Sequence, residues 1–230
     1  MTMGHPPRRP LRELLEGGKR LAAFVGAGGK TSLIYALGSQ LADQGQRVVV
    51  TTTTRMLAPA RDLLLLRPGA AIPPYRLITV GSAVETDKGK LVGFAPWDIG
   101  ELLARLEPDV ILVEADGAAG RSVKAPAGHE PVIPELADLV VGVMGLDALG
   151  RAVDGDTVFR LERFCAVTGL RPGEIIGPAA FTALAGHPEG LFKGAPVRAR
   201  CVAFHNKADA YPPLGPVYGS ARFGWFVSEA

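Results

Sequence analysis

Five stretches hold residues whose types and spacing could do chemistry. The first is GAGGKTS at 26–32. Glycines lack a Cβ, so backbone N–H groups can converge on one anion, and a following helix adds the partial positive charge of its amino terminus. In that setting Gly26, Ala27, Gly28, Gly29 and Ser32 would cradle phosphate. Lys30 would place a point charge on the outer phosphates, and the Thr31 hydroxyl would ligate Mg2+. The usual phosphate-loop pattern has four residues between its first glycine and the Gly-Lys-[Ser/Thr]. Here only Ala27 and Gly28 stand between Gly26 and Gly29. On its own the stretch reads as a working nucleotide loop, a shortened variant, or a glycine-rich turn that ends in Lys-Thr.

The second stretch is ILVEADGAAG at 111–120, an apolar run ending in Glu114 and Asp116. Residues two apart on a strand face one side, and the carboxyl ends of parallel strands are where open α/β sheets bind ligands. Beside a phosphate loop, such acids would hold Mg2+ or orient a nucleophile. The third is TTTT at 51–54. The hydroxyls of Thr52, Thr53 and Thr54 would face the same crevice, although threonine is also an ordinary strand residue. The fourth is FHNKAD at 204–209. Asn206, Lys207 and Asp209 match the Asn-Lys-x-Asp that reads guanine, or else form a polar turn capped by Asn and Asp. The fifth is RSVKAPAGHEPVIP at 121–134. Its prolines forbid a regular helix, so Arg121, Lys124, His129 and Glu130 lie on a loop of defined shape that could cover a substrate.

These residues need a scaffold, and the hydrophobic pattern supplies one. Apolar, β-branched runs at 20–25, 47–52, 76–81, 109–116, 138–145 and 197–206 read as strands. Between them, Leu33, Leu37 and Leu41 mark a helix over 31–45 that ends at Gly45. Helices are predicted at 97–108, 158–169 and 178–186, the last with Pro178 at its first position, and a hairpin or loop at 84–93. Strands alternating with helices make an α/β fold, and the glycine loop falls between its first strand and first helix.

The 230 residues suit a single domain, with an N-terminal tail or helix over 1–19 and an irregular segment over 210–230. Hydrophobic residues are 47% and charged residues 21%, which argues against disorder. A net charge of +2 without a Lys/Arg cluster gives no reason to expect nucleic acid. The sequence has neither a membrane-length apolar run nor a secretory h-region, so a cytoplasmic protein is expected. Cys165 and Cys201 have no metal-ligand spacing and read as reduced, buried thiols.

In order along the chain, VGAGGKTSL, VVVTTTTRM, VEADGAAGRSVKAPAGHEPVIP, GLDALG, HPEGLFKGAP and NKAD closely resemble the YqeC family of selenium cofactor biosynthesis proteins, accessory to selenium-dependent molybdenum hydroxylases. The resemblance covers about 21–209 and makes the short loop a family feature. That loop is also similar to the Gly-x-x-Gly-Lys-Thr of ATP-dependent Mur-type ligases. The resemblance implies a three-layer, mostly parallel sheet of P-loop NTPase-like architecture. It implies Mg2+ with ATP or GTP, and a second ligand that is a selenium or sulfur species or a molybdopterin-type cofactor. A molybdenum hydroxylase apoprotein is the implied protein partner. Lys30, Glu114 and Asp116 would then be the catalytic set, with Thr31, Glu114 and Asp116 on the metal. Two rival readings remain: a nucleotide-gated delivery module without significant hydrolysis, and an ATP-dependent small-molecule ligase or kinase. The family pattern also leads one to expect a helix and a strand after Asp209, where the tail is short and Pro-rich.

Overall fold

A computed structural model describes residues 11–15, 18, 20–208 and the backbone of 224–226. The strands are β1 (Leu21–Gly26), β2 (Val48–Thr52), β3 (Arg55–Leu57), β4 (Leu63–Leu65), β5 (Leu77–Gly81), β6 (Ala83–Glu85), β7 (Lys90–Val92), β8 (Val110–Glu114), β9 (Val123–Lys124), β10 (Leu139–Gly145), β11 (Val158–Phe159), β12 (Arg200–Asn206) and β13 (Gly224–Phe226). The α-helices are α1 (Lys30–Asp43), α2 (Ile99–Leu106), α3 (Leu161–Thr168) and α4 (Pro178–Gly186).

Eight strands form one sheet in the order β13-β12-β10-β1-β8-β2-β5-β4, and every pairing in it is parallel. The central strands β1, β2, β8 and β10 are buried along their whole length. This is the reason they read as near-continuous apolar runs: each face is covered. On one face Ala22, Phe24, Val50 and Leu112 pack against Leu33, Ile34, Leu37 and Leu41 of α1 and against the 3-10 turn Leu11–Leu15. On the other, Ala23, Val25, Ile111 and Val113 pack against α2, α3 and α4 through Leu102, Phe164 and Phe181. Three layers result, an architecture compatible with that of P-loop NTPases. No helix among the described residues is long and apolar enough to cross a membrane.

The register brings the chemistry to one edge. Phe24 lies level with Glu114, Thr52 with Glu114, Gly26 with Val143, and Gly145 with Asn206. The carboxyl ends of five adjacent strands, β12, β10, β1, β8 and β2, therefore meet around the glycine loop.

Elsewhere the structure departs from the sequence reading. The helix expected over 158–169 is shorter, because Val158 and Phe159 pair with Val123 and Lys124 as β11 and β9, and Arg160 takes a left-handed conformation at φ 64 before α3. The expected hairpin at 84–93 is β6 and β7, which recruit β3 into a three-stranded antiparallel sheet. The edge strand β4 was not anticipated. The C-terminal segment, read as irregular, adds β13 alongside β12. Gly45 sits just past α1 at φ 87, its N–H donating to Ala42 O at 2.9 Å, as a helix-ending glycine should. Cys165 and Cys201 are not joined in a disulfide and are half-buried rather than fully buried. Burial, with Glu174 nearby, holds the Cys165 thiol above its ordinary pKa, which makes it a poor nucleophile.

Candidate functional site

The glycine loop is threaded through its neighbours. Ala27 N–H donates to Val143 O at 3.0 Å and Gly28 N–H to Arg121 O at 2.9 Å. Gly28 has φ 89, and a Cβ there would run into the backbone of Gly145 and Ser122. Only glycine fits this position, on both conformational and steric grounds. With the Gly26 N–H donating to Asp116 at 3.0 Å, three of the loop's amides are committed to the fold. The turn opening α1 at Gly29, which carries no side-chain cap, is left to face a ligand.

Both acids of β8 and its exit reach this loop, at different points. Thr31 Oγ1 donates to Glu114 Oε2 at 2.6 Å. Asp116 accepts from Gly26 N–H at 3.0 Å and pairs with Lys30 at 3.0 Å and with Lys124 at 3.0 Å. Lys30 Nζ also donates to Gly26 O at 2.7 Å. Glu114 lines the cavity, whereas Asp116 sits behind its wall. Burial pushes the Glu114 carboxyl above its ordinary pKa, against the opposing Lys30 charge and the Thr31 hydrogen bond. A cation beside it would offset that cost. A hydroxyl and a carboxylate at a helix amino terminus are hard oxygens of the kind Mg2+ takes, with water and phosphate completing its octahedron. Thr31 and Glu114 therefore fit the expected ion.

The open space beside the loop has a volume of about 700 Å3, within the range of small-molecule sites. Lys30, Arg55, Lys90, Arg121, Arg160 and Lys207 on its walls set six cations against Glu114 and Glu130. Such a cavity attracts anions. Among the described residues, five non-glycines have positive φ, and Ala119, Arg160 and Lys207 of that set line this cavity. Each such conformation costs roughly 1–3 kcal/mol and persists where surroundings impose it, most often at functional sites.

The remaining sequence candidates divide. Thr52 Oγ1 donates to Glu114 O at 2.7 Å and Thr53 Oγ1 to Val132 O at 2.6 Å, while Thr54 N–H donates to Thr52 Oγ1 at 3.0 Å. These groups brace β2 against β8 and the Pro-rich segment, and none of the three lines the cavity. His129 is exposed and outside it. Lys124 is buried, bonded to Gly117 O at 2.6 Å and to Glu130 at 2.8 Å. Asn206 donates its side-chain amide to Gly28 O at 2.8 Å, so it props the loop. Lys207 pairs with Asp147 at 2.6 Å, and Ser122 Oγ donates to the same Asp147 oxygen at 2.7 Å. Asp209 lies outside the described residues.

Sequence reasoning missed Arg160, Arg55 and Lys90. Each reaches the cavity through pairings far apart in the chain, β9 with β11 and β3 with β7, so no local spacing announces them.

Burial opposes the Glu130 charge more than any other single influence. The hydrogen bonds from Arg160 and Lys124, the Lys124 charge and the Ala127 N–H together outweigh it and hold the pKa down to about 2. A depressed folded pKa contributes stability above the unfolded value, which is lost as pH falls through the folded one. Wild-type protein is therefore expected to lose stability from this source between pH 4.5 and about 2. Glu130→Gln should flatten that part of the profile, read as urea midpoint against pH. Parallel profiles for the two proteins would show that the Arg160 and Lys124 contacts do not hold in solution.

The family model described as YqeC protein matches residues 22–162, a span that takes in the glycine loop, the acidic strand end and the Pro-rich segment. No solved structure matches. A relative from Escherichia coli (strain K12), described as "Uncharacterized protein YqeC", is 41% identical over 191 residues, covering 80% of this chain and 75% of its own. With a match over more than half its length and a relative this similar, the chain belongs to the YqeC family.

Proposed function

We propose that the chain is a P-loop nucleotide-binding protein. It takes Mg2+ with ATP or GTP and hydrolyses or activates the nucleotide. Its setting is the synthesis or insertion of the selenium-containing molybdenum cofactor of selenium-dependent molybdenum hydroxylases. The observation that carries the nucleotide reading is the 2.6 Å hydrogen bond from Thr31 to Glu114, at the start of a helix whose first residue is Lys30. Phosphoryl-transfer sites of this kind place a loop hydroxyl and a strand-end carboxylate on one Mg2+ and a lysine on the outer phosphates. The cofactor setting rests on the resemblance of the motifs and not on any feature of the cavity. Under it, the second ligand is a selenium or sulfur species or a molybdopterin-type cofactor, and the protein partner a molybdenum hydroxylase apoprotein.

Nucleotide binding with and without the metal tests this. Wild-type protein should bind ATP or GTP in the presence of Mg2+, and chelation with EDTA should weaken binding about tenfold or more. Thr31→Ala should reproduce the weakening and leave EDTA little further to remove. Absence of binding to both nucleotides at millimolar concentration would overturn the reading. Preference for GTP that is lost in Asp209→Ala would assign the base to Asn-Lys-x-Asp. Preference for ATP unaffected by that change would remove guanine recognition.

One observation favours a second reading, nucleotide-gated delivery without significant hydrolysis. Lys30 is joined through Asp116 and Lys124 to Glu130 of the Pro-rich segment by ion pairs of 3.0, 3.0 and 2.8 Å. A phosphate that draws Lys30 away from Asp116 would be felt in that segment. Tight binding with negligible turnover would select this reading.

A further inference from the structure

Arg160 is held more firmly than a surface arginine would be. Its Nε and one terminal nitrogen donate to the two oxygens of Glu130 at 3.1 and 2.9 Å. Its guanidinium carbon lies 4.8 Å from the centre of the Phe159 ring. Its backbone is left-handed at the start of α3, and its side chain retains 30% exposure on the cavity wall. A guanidinium has five N–H donors in a rigid fork, and Glu130 takes two of them. The other three are available to an oxyanion.

The register locates that fork. Phe159 lies beside Lys124 in the β9–β11 pair, and Arg160 follows at once. Lys124 is 3.0 Å from Asp116, which is 3.0 Å from Lys30. Ion pairs thus link Arg160, through Glu130, Lys124 and Asp116, to Lys30, the residue that meets the outer phosphates in a loop of this kind. Three of the other wall cations have partners of their own, Arg121 with Asp156 at 3.9 Å among them. Lys207 is committed to Asp147, and Arg55 is 58% exposed and paired with Glu85.

Taking the nucleotide reading above as its basis, we propose that Arg160 contacts the terminal phosphoryl group of a bound nucleoside triphosphate and so distinguishes triphosphate from diphosphate. Arginine suits that task, since its planar fork grips phosphate oxygens in pairs and remains charged at every working pH. Glu130 and Phe159 fix the fork before the ligand arrives, which lowers the ordering cost of binding.

Calorimetric titration with imido-linked triphosphate analogues of ATP and GTP, and with ADP and GDP, all with Mg2+, tests the assignment. Arg160→Ala should weaken the triphosphate analogue about tenfold or more while changing diphosphate affinity less than about threefold. Arg160→Gln serves if the alanine variant does not fold, and thermal melting of each variant checks for folding. A purely structural role would weaken both ligands alike. Equal loss for triphosphate and diphosphate, or loss for neither, overturns the Arg160 assignment and leaves the nucleotide reading standing. If wild-type protein binds none of the four ligands, the nucleotide reading fails and takes this assignment with it.

Discussion

Asp116→Ala is expected to lower the stability of the folded chain by about 3–5 kcal/mol, the usual cost of breaking a buried ion pair from one side. Asp116 is the shared anion of two buried lysines and also accepts the Gly26 N–H at 3.0 Å. Its loss leaves Lys30 with the Gly26 carbonyl, and Lys124 with Glu130 and the Gly117 carbonyl. Lys30, 4% exposed, would then be without its ion-pair partner, and Lys124 would keep Glu130 alone. Proteins of this size are stable by roughly 5–15 kcal/mol, so the loss is a large part of the whole. Urea unfolding at pH 7 measures it. Asp116→Asn separates charge from shape, since an amide oxygen can still accept from Gly26. If the asparagine variant unfolds within about 0.5 kcal/mol of wild type, the buried charges are not interacting as the distances imply.

The second large effect is on ligand binding. Lys30→Met should raise the dissociation constant for Mg2+-nucleotide on the order of a hundredfold, because a charge-assisted contact to phosphate is lost. The stability cost should be smaller than for Asp116→Ala, because Asp116 keeps Lys124 at 3.0 Å and the Gly26 N–H. Lys30 can exchange Asp116 for phosphate without stranding the acid. Calorimetric titration and urea unfolding on one preparation give both numbers. Wild-type affinity in the methionine variant would remove Lys30 from the phosphate site.

The contrast between these residues also marks what could be read in the sequence. The strands around the loop were legible because strands covered on both faces are written as apolar runs, as at 21–26 and 110–114. The setting of Lys30 and Thr31 at a strand-to-helix turn was legible for the same reason. That Glu114 and Asp116 would both reach the loop followed from their place at a strand end, although Asp116 lies past β8 and not on its face with Glu114. Their division of labour did not, since Asp116 is held behind the cavity wall by Lys30 and by Lys124 of β9. The threonines of 51–54 illustrate the opposite limit. Their hydroxyls looked chemical but are used on Val80, Glu114 and Val132. A side chain's own type does not tell which neighbour will claim it. Arg160 was hidden inside an expected helix. It leaves that helix because Phe159 pairs with Lys124, a contact 35 positions away that no local pattern encodes.

The row Lys30, Asp116, Lys124, Glu130 and Arg160 alternates in sign and begins and ends on a cation. Such a row constrains how the family can vary. Losing an inner charge leaves like charges facing each other across the gap, whereas losing two neighbours of opposite sign from an end leaves the remainder balanced as before. Positions 130 and 160 should therefore be inherited as a pair, since their joint loss leaves Lys30, Asp116 and Lys124 paired as before. Drift at either becomes tolerable only after its neighbour has changed.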